Sequence, residues 1–249
     1  PQIIKAANCE LYTYSEESKE ADFVASDIRY VSQPDFVGTE FHISGKYDME
    51  VRLGIPGLFN VVNALAAVRV CSFLGLDQAR ISHALENIRV NGRMEIVYTS
   101  ERCTVLVDYA HNAVSMESLL STLRDYKPKR LVCVFGCGGN RSKDRRYSMG
   151  EIGGKMADLS IVTADNSRYE KVEDIIADIR GSIEKTGGKF IEIPDRREAI
   201  RYSILHAQPG DMVAVIGKGH EDYQEIKGVK YPMDERVLIQ EVLKELSEK

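Results

Sequence analysis

With 249 residues, 43% of them hydrophobic and 29% charged, the chain can build one large or two ordinary domains with ample core. A formal charge of -5 argues against nucleic-acid binding. No apolar run approaches the roughly 20 residues that span a bilayer, and the first ten residues carry no secretory signal, so a cytoplasmic protein without membrane insertion is expected.

The five cysteines show no paired C-x2-C spacing, which points to buried reduced thiols rather than a disulfide frame or a metal site. The chain opens without Met, on a stretch that reads as a strand already under way, so a fragment of a longer protein is expected.

Residues 9 to 53 read as strands: "CELYTY", "FVASDIRYV", "TEFHIS" and "YDMEVRL" cluster or alternate β-branched and aromatic residues, with "QPD" and "SGK" as turns. The expected form is an antiparallel patch with one buried face. Gly54, Pro56 and Gly57 punctuate the next stretch. A helix is then predicted from about Asn60, with Val61, Leu65, Val68 and Ser72 on one stripe, and Asn63 is read as a buried amide in need of partners. A second helix follows Asp77, with Ile81, Leu85 and Ile88 on one face.

From about Arg102 the rhythm changes. "TVLV", "RLVCVF", "LSIVTA", "KFIEI" and "MVAVIG" alternate with amphipathic helices, the clearest being Val172 to Ile183, and a last helix runs from Arg236 to Leu246. Such alternation predicts an α/β fold, a mostly parallel sheet covered on both faces, with ligands beyond the carboxyl ends of its strands. Four of those ends carry polar and glycine-rich loops: Asp108-Tyr109-Ala110-His111, Gly136 to Arg141, Asp165-Asn166-Ser167-Arg168, and Lys218-Gly219-His220-Glu221.

In "FGCGGNRSKDRR" the glycines would let backbone approach a ligand, Arg141 offers a planar fork for carboxylate or phosphate, and Lys143, Arg145 and Arg146 are expected to be solvated. Neither a P-loop nor G-x-G-x-x-G is present. In "TADNSR", Asp165 and Asn166 could simply cap a helix, or with Arg168 they could grip a zwitterion, acid to ammonium and guanidinium to carboxylate. His220 has no nucleophile elbow to serve.

Taken together, "GLFNVVNALAA", "NGRME", "VDYAH", "FGCGGNR", "DNSR" and "GKGHEDYQ" resemble the Mur ligases, ATP-dependent amino-acid ligases of peptidoglycan synthesis, from about Gly57 to the chain end. The resemblance implies the second half of a central ATP-binding domain over residues 1–99 and a Rossmann-like amino-acid-binding domain over 100–249. It implies ATP and Mg2+ as cofactors of the whole enzyme, with the P-loop and most magnesium ligands upstream of this chain and no catalytic or metal residue assigned within it.

The implied partners are a UDP-MurNAc-dipeptide and a diamino acid, in a monomer. ATP would phosphorylate the glutamyl carboxylate, and an amine of the incoming amino acid would attack the acyl phosphate. By position, Asn63, Arg93, Asp108 and His111 resemble residues near the nucleotide. Arg141, Asp165, Asn166, Arg168, Gly217 and Glu221 resemble the pocket of the meso-diaminopimelate-adding members, which an unpaired buried Arg168 would close to lysine. Two departures stand out: Ser167 replaces the usual proline of D-N-P-R, and "NAVSME" follows "VDYAH" in place of T-P-D.

Three classes of rival reading are weighed on the sequence. A dinucleotide-binding oxidoreductase would need glycines at the first strand–helix turn, which here reads "DYAHNA". The others are a non-catalytic amino-acid or partner-binding domain and a related ligase: an L-lysine-adding one, or the enzyme of the next step or a folate polyglutamyl ligase, against both of which the "DNSR" and "GKGHEDYQ" loops argue.

Overall fold

The computed structural model describes residues 7–247. By contact they group into two compact units, one built from 36–89 with the residues before 33, the other from 33–35 and 90 onward.

In the first unit, β1 (Tyr14–Ser15), β2 (Phe23–Gln33), β3 (Phe36–Gly45) and β4 (Met49–Leu53) form one sheet in that order. It is not wholly antiparallel as expected: β1 pairs parallel to β2, Tyr14 beside Phe23, whereas β3 and β4 are antiparallel with Phe41 beside Val51. Only Tyr14 of "CELYTY", with Ser15 after it, joins the ladder.

One face of this sheet, through Phe23, Phe41, Ile43, Val51 and Leu53, packs on α1 (Leu58–Phe73) and α2 (Gln78–Asn87). The predicted stripes hold: Val61, Leu65 and Val68 of α1 and Ile81 and Leu85 of α2 are buried, and the Asp77 side chain caps α2 by accepting from Arg80 N. Ile88 falls outside as the C-cap and is exposed.

The second unit is a six-stranded sheet of order β5-β6-β10-β7-β8-β9, formed by β5 (Glu95–Thr99), β6 (Cys103–Asp108), β7 (Arg130–Phe135), β8 (Leu159–Val162), β9 (Phe190–Glu192) and β10 (Asp211–Ile216). All pairings are parallel except β5 with β6. The strands are apolar on both faces because helices cover both. Val105, Val132, Ile161, Val213 and Val215 pack under α6 (Arg196–Leu205) and α7 (Glu235–Ser247).

On the other face lie α3 (Ala113–Asp125), α4 (Asp144–Met156) and α5 (Val172–Thr186), where Gly153 of α4 sits against the Phe135 ring. The departure "NAVS" has a local purpose: Asn112 and Ser115 form a capping box at the start of α3. One element went unread: β11 (Tyr223–Ile226) and β12 (Val229–Pro232) form a hairpin whose two-residue turn, Lys227-Gly228, has positive φ at both positions.

Candidate functional site

Strands β6, β10, β7 and β8 are successive parallel neighbours, so their carboxyl ends and the four polar loops share one rim. The loops hold one another. Asn166 donates through Nδ2 to Glu221 Oε2 (2.9 Å), while its Oδ1 accepts from Lys218 Nζ (3.0 Å) and from Glu225 N (2.9 Å). Lys218 Nζ also lies 3.2 Å from Glu221 Oε2. Gly217, at φ +115, brings its Cα against the Asp165 carboxylate and donates its N–H to Asp108 O (3.1 Å); an added Cβ would sit 2.7 Å from Asp165 Oδ2. Five of the six expected amino-acid-pocket residues, Asp165, Asn166, Arg168, Gly217 and Glu221, thus belong to one connected set of loops.

Arg168 stands at φ +50, unusual for a side chain with a Cβ, and is held there by its backbone: its N donates to Glu225 O (3.1 Å) and its O accepts from Lys227 N (2.6 Å). Its guanidinium donates from Nη1 to Gly139 O (2.8 Å) and pairs through Nε with Glu225 (3.3 Å), leaving Nη2 without a protein partner among the described residues. With 24% of its side chain exposed and an acid beside it, Arg168 is not the unpaired buried charge the sequence reading assumed, so the penalty for a ligand lacking a carboxylate is smaller than that reading required. Arg141 is exposed, and its Cγ lies near Gly138, as does Arg168 Nη1.

The glycines of "FGCGG", read in the sequence as also free to take positive φ, do not take it at Gly136, Gly138 or Gly139. A Cβ at Gly136 or Gly139 would run into the carbonyls of Thr163 or Ser167. Their smallness serves the packing of the β7 loop on the β8 loop.

The residues expected near a nucleotide divide. Arg93, Asp108 and His111 come together around Tyr109, whose ring lies 4.9 Å from the Arg93 guanidinium, 4.7 Å from the His111 ring and 5.2 Å from that of His220. Asp108 itself is committed inward, accepting from Met94 N (2.8 Å) and Ala110 N (2.7 Å). Burial pushes its carboxyl above the ordinary value against those two bonds and Arg93. Asn63 belongs to the first unit and is exposed, not buried, its amide donating to Asn60 Oδ1 (3.3 Å). It misses the buried stripe of α1, which runs through Val61, Ala64, Leu65 and Val68.

Arg146, expected in solvent, is 1% exposed. It clamps Glu170 (2.7 Å) and Asp178 (2.9 Å), and Glu170 in turn accepts from Asn140 N, so the clamp braces the glycine loop. Arg146 holds Glu170 below the ordinary carboxylate range; burial raises Asp178, but Arg146 and Lys143 outweigh it and hold it low too. Such carboxylates stabilise the fold above their unfolded value, about 4, and lose that contribution as pH falls through the folded one. Arg146→Met is therefore expected to cost about 2 kcal/mol at pH 7, less at pH 3. Urea unfolding followed by circular dichroism at both pH values checks this; an equal loss at both would refute the clamp.

A family model described as the Mur ligase glutamate ligase domain matches residues 92–219, more than half of the chain. The chain belongs to the Mur ligase family. The Mur ligase middle domain matches residues 1–71. A UDP-N-acetylmuramoyl-L-alanyl-D-glutamate--2,6-diaminopimelate ligase of Caldanaerobacter subterraneus is 45% identical over 79% of this chain and 41% of its own length. One of the same name from Aquifex aeolicus is 40% identical over 97% and 48%.

A solved structure of that name superposes with a TM-score of 0.76 at 34% identity, over 96% of this chain and 48% of the other. UDP-N-acetylmuramate-alanine ligase from Thermotoga maritima, at 20% identity and TM-score 0.64, covers 95% of this chain and 48% of its own and shares the fold. The chain spans about half the length of the curated relatives it matches.

In this Mur ligase chain the sequence reading placed Lys218 on the rim without giving it a role and missed three further charged residues there. Lys218 is fully buried among the loops, Arg196 and Glu235 are buried beneath them, and Glu225 stands beside Arg168. Lys218 carried a signal: it lies between two glycines where a fully buried strand ends, so its charge had to meet partners. Arg196, Glu235 and Glu225 carried none, since their partners are 39, 39 and 57 positions away.

Proposed function

We propose that the full-length polypeptide joins a diamino acid, meso-diaminopimelate, to UDP-MurNAc-L-Ala-D-Glu at the expense of ATP, and that this chain supplies the amino-acid pocket. The carrying observation is Arg168, locked by its backbone with Nη2 open, on a rim where the buried Lys218 and Asn166 fix the half-buried carboxylate of Glu221. A planar fork fixed in place suits a carboxylate. The names of the relatives at 45% and 40% identity support the substrate.

In this reading the unit from residue 90 onward is the amino-acid-binding domain, ten residues earlier than the 99/100 boundary read from the sequence because β5 joins its sheet, and the residues before it are the second half of the central ATP-binding domain. Of the four expected nucleotide contacts, Asn63, Arg93 and His111 keep polar atoms without a protein partner among the described residues, whereas Asp108 holds the loop of Tyr109, since both its oxygens are taken. No group of three or more His, Cys, Asp or Glu able to hold a metal occurs among the described residues, so no magnesium step is assigned to this chain. No described helix is long and apolar enough to cross a membrane.

The test is ligation by the full-length polypeptide with ATP, UDP-MurNAc-L-Ala-D-Glu and either meso-diaminopimelate or L-lysine. Product with diaminopimelate well above lysine is expected. Equal use of lysine would move the reading to the L-lysine-adding class, and no product with either would overturn it.

A further inference from the structure

Three successive backbone amides lead into β5, and each is tied down. Gly92 N donates to Glu95 Oε2 (2.6 Å), Arg93 N to Val90 O (3.0 Å) and Met94 N to Asp108 Oδ2 (2.8 Å). The backbone so fixed is an uncommon one. Gly92 stands at φ +67 and the buried Met94 at φ +43, a left-handed conformation that residues with a Cβ rarely adopt. Gly92 also packs so closely on the loop after β10 that an added Cβ would lie 2.1 Å from His220 N.

Arg93 sits between these pins. Its side chain is exposed, has no acid or hydrogen-bond partner among the described residues, and holds its guanidinium 4.9 Å from the centre of the Tyr109 ring. An arginine on a loose turn must order both backbone and side chain to meet an anion; on a fixed turn only the side chain is left to order. Asp108 fixes this turn from one side and Glu95 from the other.

The Glu95 carboxylate does little for the sheet, because the backbone of Glu95 pairs with Val107 at the start of the β5–β6 ladder. It is also not spent on an ion pair. Oε2 lies 3.7 Å from Arg236 Nη1, while Nε and Nη2 of Arg236 donate to Asp234 (2.8 and 2.7 Å). With 16% of its side chain exposed, Glu95 is directed at the turn rather than at solvent.

We infer that Glu95 is a positioning residue for nucleotide binding, acting through Arg93 by holding the Gly92 N–H and so the turn that presents the guanidinium. This rests on the reading above that Arg93 meets the nucleotide, and deepens it by naming what sets that arginine in place.

In the full-length polypeptide, Glu95→Ala should raise KM for ATP by about tenfold and leave KM for meso-diaminopimelate within about twofold of wild type. Glu95→Gln keeps an oxygen that accepts from Gly92 N–H and should return KM for ATP to within about threefold of wild type. A double-mutant cycle with Arg93→Ala is decisive: in that background Glu95→Ala should change KM for ATP by less than about twofold, since no guanidinium is left to position.

An unchanged KM for ATP in Glu95→Ala, an equal rise in KM for both substrates, a Glu95→Gln no better than alanine, or a full effect persisting without Arg93 would each overturn the inference. A wild type that makes no product would overturn the proposed function instead. ATP affinity of the same proteins by calorimetry then decides this inference separately, and a wild type that binds no ATP would overturn it as well.

Discussion

Arg196→Met should lower the stability of the chain by about 3–5 kcal/mol at pH 8, the loss expected when one partner of a buried ion pair is removed. Arg196 and Glu235 are both fully buried, with Nε 2.6 Å from Oε1. The other two nitrogens of the fork reach backbone: Nη1 donates to Ala164 O (2.9 Å) and Nη2 to Ile216 O (2.8 Å). Those carbonyls immediately precede Asp165 and Gly217, at the carboxyl ends of β8 and β10, which have β7 between them, so one side chain ties two loops of the rim across a third.

Methionine fills the space and leaves two carbonyls and a carboxylate without a donor. Burial already pushes the Glu235 carboxyl above its ordinary value, with Arg196 and then Lys218 pulling it down. Without Arg196 it rises further. A carboxyl raised in the fold is tolerated while protonated and becomes a burden as pH climbs past its unfolded value, about 4. The penalty should therefore be larger at pH 8 than at pH 5.

Arg196→Met with Glu235→Leu should recover part of the loss, because the stranded charge is gone although the two carbonyls stay orphaned. Urea unfolding by circular dichroism at both pH values gives the comparison. A loss under about 1 kcal/mol, or one independent of pH, would contradict a charged pair in the core.

How much of this was legible in the sequence depends on the range of each interaction. Strands and helices of the second unit could be read because the signal is local: "TVLV" or "MVAVIG" is apolar throughout, and Val172, Ile175, Ile176, Ile179 and Ile183 repeat at helical spacing. The shared rim came with them, since parallel strands place their carboxyl ends together. The hairpin β11–β12 was legible in principle from Lys227-Gly228, but the polar side chains around it disguised the alternation.

What no local pattern could reveal is which charges are already answered. Arg146 sits in a run of basic residues that looks solvated, yet its partners Glu170 and Asp178 lie 24 and 32 positions on. The same holds for Arg168, whose acid was not visible as such until β11 folded back on the β8 loop. Site residue types were thus readable, while their electrostatic state was not.

That electrostatic state sets the last expectation. Arg168→Ala should weaken meso-diaminopimelate binding by about a hundredfold, in the range of a charge-assisted contact to a carboxylate, and should strengthen L-lysine binding severalfold. The first effect is the loss of the fork beside the open face. The second arises from Glu225. In the wild type its charge is shared with Arg168 at 3.3 Å. With alanine there it becomes an unanswered carboxylate beside the space Arg168 leaves, and lysine brings an ammonium and no second carboxylate to it.

Arg168→Lys would not restore the wild type, since a point charge cannot reach Gly139 O and Glu225 and still present a planar edge. Calorimetric titration of the full-length polypeptide with both ligands reads the two affinities directly. If alanine weakens both ligands alike, Arg168 acts only by holding the β8 loop to the hairpin, and the discrimination must lie elsewhere on the rim. If the affinities cross as expected, a single guanidinium and its neighbouring acid decide which diamino acid the pocket accepts.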